Sequence, residues 1–238
     1  LLFLAMEEKI LSILRFLHGS SGLIALVIAP LAMIAYKGGS WHRRWGITFF
    51  YAMAVVTVTA IALAWLQPNP LMGMVAVFSF HMIASGYRSL YHKKLHRGQR
   101  PARMDLILQG TAGVINVGLL LWGAAHFMLK HRDPMAGIFL AFGLIGSLMV
   151  FANLRRFFKQ SHDKQEWLYG HMTGFLGGYI ATVSAFSAVN LGMIQPLWLR
   201  WLWPTIVGAP LIALWVRHYR GRFARGRRVR ELMDTRIQ

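Results

Sequence analysis

His18, His42, His81 and His171 are the side chains in this sequence best placed to bind a metal or to change charge near neutral pH. Asp105, Gln109 and Asn116 form a second group. With Ala112 and Gly123 they recur at helical spacing and make one polar stripe. Neutral imidazoles on facing helices are the usual protein ligands of a b-type haem. An acid and two amides on one stripe suit either a hydrogen-bonded seam or the lining of a proton, ion or solute pathway. Asp105 stands beside Arg100 and Arg103, which predicts a plain ion pair at that point. Other chemistries lack their parts. There is no cysteine, so thiolate metal sites, disulfides and covalent haem attachment are excluded. No Walker loop, His-Glu-x-x-His, Gly-x-Ser-x-Gly or paired carboxylates occur, so nothing points to hydrolysis or nucleotide-driven work.

The elements that hold these residues are apolar. Of 238 residues 56% are hydrophobic and 14% charged, against about 25% charged in an ordinary soluble domain. A bilayer core about 30 Å thick takes roughly 20 apolar helical residues per crossing. Seven segments reach that length, at 11–36, 45–66, 71–91, 104–129, 135–157, 166–190 and 198–217. The expected fold is all-α, a single bundle of seven transmembrane helices over residues 1–217, followed by a basic tail over 218–238. Pro68 and Pro70 make spans two and three a tight hairpin, and Pro134 breaks the chain before span five. Met6 reads as a natural start, with residues 1–5 an extension or remnant, and the first apolar run reads as retained rather than cleaved.

Charge sets the expected direction. Twenty-one of the 26 Lys and Arg follow spans one, three, five and seven, and the other five fall on the opposite side. The positive-inside rule then puts the N-terminus outside and the C-terminus in the cytoplasm of a bacterial inner membrane. Trp41 and Trp45 mark the inner headgroup level, and Trp198, Trp201 and Trp203 the outer one. The stretch KGGSWHRRWG, residues 37–46, is the first cytoplasmic turn, with His42 either a polar loop residue or an inner-side ligand.

Depth sharpens the candidates, because ionisable groups in hydrocarbon face protein or water. His18 continues into a groove of Gly22, Ala25, Ala29, Ala32 and Tyr36 on one face of span one, suited to close helix packing or to a flat cofactor with His18 as ligand. His81 lies near mid-membrane with Ser85 and Arg88 on its face and needs a partner. His171 lies near the inner end of span six, beside GFLGGY, whose glycines admit another helix or a planar ligand. His92, His96, His126, His131, His162 and His218 read as interfacial. The span-four stripe must face the bundle interior, since amides turned to lipid would stay unsatisfied.

The run from His18 through GLIALVIAPLAMIAYKGGSWHRRWG and on to FSFHMIASGYRSL resembles an uncharacterised family of bacterial integral membrane proteins, the domain of unknown function 2306. The likeness spans roughly residues 15–90 and rests on the entering histidine, the Lys-Gly-Gly loop and the His-Arg-Arg-x-Gly start of span two. It implies a bacterial cytoplasmic-membrane protein and transfers no catalytic role.

Three functions fit these residues. A small-solute or proton pathway would use Asp105, Gln109 and Asn116 with His81 as relay. A b-type haem or quinone redox protein would use His18, His81, His171 and His42. A non-catalytic membrane subunit or assembly factor would need only packing faces. The expected partners are the lipid bilayer and anionic lipid headgroups at the basic loops and tail, and no nucleic acid.

Overall fold

The computed structural model describes residues 2–129 and 135–226. Lys130, His131, Arg132 and Pro134, and the tail from residue 227 on, lie outside the described residues. Seven long helices follow one another: α1 (Leu2–Ile34), α2 (Ser40–Leu66), α3 (Pro70–Ser89), α4 (Arg103–Leu129), α5 (Ala136–Phe158), α6 (Glu166–Asn190) and α7 (Leu197–Ala224). The fold is all-α among the described residues.

Their ends are set by local chemistry. Lys37 donates to the carbonyls of Ala32 and Met33 and so closes the C-terminus of α1. Gly38 then turns the chain at φ 78°, a left-handed conformation that favours glycine. Asn69 accepts from Met72 N at 3.3 Å and caps α3, with Pro70 at its first position. Asp105 reaches back to Ala102 N at 2.8 Å and fixes the start of α4.

The helices form two rings that share one edge. α1, α2, α3 and α6 close the first ring, and α3, α4, α5, α7 and α6 the second. Ala25, Ala29, Phe49, Ala52, Met53 and Ile83 fill the first ring. Phe78, Met82, Leu119, Ile138, Phe139 and Phe142 belong to the core of the second. The shared α3–α6 edge is tight because glycines meet there: a methyl group on Gly174 would overlap Gly86, and one on Gly178 would overlap Ile83. α4 and α5 approach equally closely at Gly123, Gly143 and Gly146. This is the small-residue packing by which helices associate where lipid offers no hydrophobic drive.

Large apolar side chains such as Phe16, Val58, Val114, Leu121, Phe151 and Leu214 cover the outside of the bundle. Six helices, all but α3, are long and apolar enough to cross a membrane. A periphery of that kind belongs to a multi-pass protein in a lipid bilayer. α3 is the exception for a physical reason. It is enclosed by α2, α4, α5 and α6, so it can carry Ser79, His81, Ser85 and Ser89, all buried, without showing them to lipid.

Three expectations are corrected here. α2 begins at Ser40, so His42 is a helical residue and not part of a loop. α7 runs on to Ala224, so the first residues of the expected tail are helical. Trp201 is 3% exposed and packs against Phe142 in the core instead of marking an interface, because α7 turns that face toward α5.

Candidate functional site

One end of the bundle gathers the C-termini of α1, α3, α5 and α7 with the N-termini of α2, α4 and α6, and Asp105, His42 and His171 lie toward it. Asp105 is at its centre, 1% exposed. Arg88 donates to it through Nε at 2.6 Å and Nη2 at 3.2 Å, His92 through Nε2 at 2.9 Å, and the Ala102 amide at 2.8 Å. Four N–H donors, one on Oδ1 and three on Oδ2, satisfy the carboxylate, and Arg88 balances its charge. Arg100 and Arg103 are not its partners, because the α3–α4 contact delivers Arg88 and the connector delivers His92. His92 is therefore no interfacial residue: it is buried, its ring meets Phe157 edge-on, and burial holds its pKa below the ordinary value although Asp105 pulls the other way. Neutral imidazole donates to the carboxylate, which Arg88 already balances. Arg156, also buried, passes Ser89 and Gly170 on its way to the same end.

One turn deeper, Gln109 joins three helices. Its carbonyl accepts from His81 Nε2 at 2.9 Å and Asn153 Nδ2 at 3.3 Å, and its amide donates to Ser85 Oγ at 3.0 Å. The partner His81 needs is thus Gln109, with Ser85 in the same network. Asn116 lies two turns further along, fully buried against Gly146, with neither amide atom hydrogen-bonded. The stripe of α4 is buried in full at Asp105, Gln109, Ala112, Asn116, Leu119 and Gly123. Beyond Asn116 it is sealed by Leu119, Phe139 and Phe142 of the second core.

The histidines do not form a single cluster. His18 donates from Nδ1 to Val56 O at 3.2 Å and Thr59 Oγ1 at 3.1 Å, and its groove of Ala25, Ala29 and Ala32 packs within the first ring while Tyr36 is exposed. A cavity of about 560 Å³ opens beside it toward Met53, Thr57 and Thr182. His81 is held in the second ring, away from His18. His42 and His171 do meet. Their ring centroids are 6.3 Å apart at an interplanar angle of 77°. His42 Nδ1 donates to Ala32 O of α1 at 2.9 Å, and His171 Nδ1 to Gly86 O of α3 at 3.3 Å. A carbonyl only accepts, so both rings carry the proton on Nδ1 and keep the Nε2 lone pair free. Lys37 and Lys93 act electrostatically on this pair, and burial lowers the pKa of Lys37. The glycines of GFLGGY are spent on α3: Gly174 meets Gly86, Gly177 meets Met82 and Gly178 meets Ile83.

Sequence reasoning passed over His92, Asn153, Arg156 and Lys37. An amide inside an apolar span was a readable signal for Asn153. The other three read as solvated cations or interfacial groups until the helices are assembled. No group of three or more His, Cys, Asp or Glu able to hold a bare metal ion occurs among the described residues. No family model, no curated protein and no solved structure matches this chain.

Proposed function

We propose that this is a seven-span protein of a bacterial cytoplasmic membrane, N-terminus outside and C-terminus inside, that holds a b-type haem between His42 and His171. The span count takes α3 as the enclosed seventh crossing. The direction follows the cation bias, which places the His42–His171 end at the cytoplasmic face. The likeness of residues 15–90 to a family of bacterial integral membrane proteins belongs to the same reading.

The observation that carries the haem is the histidine pair. An imidazole nitrogen sits about 2 Å from a bound transition metal and roughly 1.1 Å from its own ring centroid, so two rings on one ion have centroids about 6 Å apart. The pair is at 6.3 Å. Each Nδ1 is anchored on a backbone carbonyl, the arrangement that orients ligating histidines and raises their basicity. Two donors are too few for a bare divalent ion, and the lysines beside them oppose one. A haem brings its own equatorial nitrogens and its own carboxylates, so two imidazoles and a cationic rim suit it. Bound there, it would supply one-electron chemistry.

The spectrum of the full chain, purified in mild detergent from haem-replete cells, decides. A Soret band that shifts on dithionite reduction, at about one haem per chain, is expected. No Soret band under those conditions removes the proposal.

The pathway reading is second, favoured by the free amide of Asn116. It asks more of the molecule, because the Gln109 carbonyl is already taken by His81 and Asn153 and the stripe is sealed beyond Asn116.

A further inference from the structure

α5 and α7 barely touch. Between them, floored by α3 and α6, lies a cavity of about 540 Å³, within the roughly 300–1,000 Å³ of small-molecule sites. Its walls are apolar along most of their length, with Met82, Phe142, Ile180 and Ala213 among them, and its end at the basic face carries Arg217 and Arg220. Arg220 stacks over Tyr169 at 4.8 Å. Neither arginine has an acidic partner among the described residues, and Arg217 makes no hydrogen bond there. We propose that this crevice holds one anionic phospholipid, with an acyl chain between α5 and α7 and the phosphodiester on Arg217 and Arg220.

Shape and charge choose this occupant. The α7 wall runs from Thr205 to Arg220, fifteen residues on, or about 22 Å of helix. That is close to half of a bilayer about 40–45 Å thick with its headgroup regions, so the trough matches one leaflet. Arg217 and Arg220 are three residues apart and share a helix face, so both can reach one phosphate. A soluble anion would leave the apolar trough unfilled, and an uncharged lipid would leave the arginines unpaired. The inference rests on the bilayer placement of the helices and is independent of the histidine pair.

Native mass spectrometry of the full chain in mild detergent tests it, with phosphatidylglycerol and phosphatidylcholine of identical acyl chains as probes. Phosphatidylglycerol is expected to remain bound at one copy and to exceed phosphatidylcholine. The double variant Arg217→Gln/Arg220→Gln should lower its retention roughly 10- to 30-fold, from about 1 kcal/mol per cation near a membrane surface. Ala213→Trp, which fills the trough and leaves both arginines in place, should abolish one-copy binding. Equal retention of the two lipids by the unaltered chain overturns the proposal, whatever the variants do. So does undiminished phosphatidylglycerol on the double variant, or protection from unfolding by inorganic phosphate as strong as by the lipid.

Discussion

Gln109 and His81 are joined by a 2.9 Å hydrogen bond across the α3–α4 contact, and both are almost wholly buried. The same glutamine also serves Asn153 and Ser85. Removing it strands several polar groups at once, and each buried group left unpaired costs about 1–3 kcal/mol. Gln109→Leu should therefore lower unfolding stability in detergent by about 2–4 kcal/mol. The pair Gln109→Leu with His81→Phe should cost less than the two single changes added together, because the second removes a group the first had orphaned. Strict additivity would show that the two side chains act separately.

His92 gives a pH dependence whose sign is fixed. Burial lowers its pKa in the folded protein, so between that value and the unfolded one, about 6.5, the unfolded chain binds more protons. Its contribution to stability is complete above about pH 6.5 and is lost as the pH falls toward the folded value. Melting temperatures measured from pH 8 to pH 5 should decline on the acid side, and His92→Gln should flatten part of that decline. A variant whose profile parallels the unaltered chain would remove His92 from the account.

Much of the α4 stripe could be read from sequence, because periodicity reports which face is turned inward whatever that face meets. Asp105, Gln109 and Asn116 had to share an interior seam. Which helix lay opposite was not readable. Asp105 has arginines two residues before it and five residues before it, yet its partners come from α3 and the connector after it. The His42–His171 contact is of the same kind. It depends on α2 and α6 closing a ring, and no spacing within either helix carries that information. α3 shows the converse. Its polar residues weaken its hydropathy as a span, and they are tolerated because four helices surround it.

Gly170 owes its identity to Arg156. A methyl group at Gly170 would overlap Arg156 Nη1 and crowd Ser89 Oγ. The arginine is itself buried and its guanidinium lies over the Phe157 ring, so it has little room to move aside. Gly170→Ala, which would favour the helix by up to about 1 kcal/mol on propensity alone, should instead destabilise by about 1–3 kcal/mol through overpacking. Shortening the obstacle should relieve it, so Gly170→Ala should cost less in an Arg156→Ala background. A stabilising Gly170→Ala in the unaltered chain would contradict the packing described.

His18, His42, His81 and His171 make a set that separates ligation from packing. If His42 and His171 share a haem, His42→Ala and His171→Ala should each abolish the Soret band or convert it to that of a five-coordinate iron, and added imidazole should restore part of it. His18→Ala and His81→Ala should leave the band in place, since His18 is bound to α2 and His81 to Gln109. Lys37 offers a finer measurement. It caps α1 beside the pair, and its positive charge would disfavour the oxidised, more positive iron of a haem held there. Lys37→Gln should therefore keep the spectrum and lower the midpoint potential. A band lost with His18 or His81 but retained without His42 would assign the cofactor to that other histidine, and a potential unmoved by Lys37→Gln would place the iron away from the α1–α2 turn.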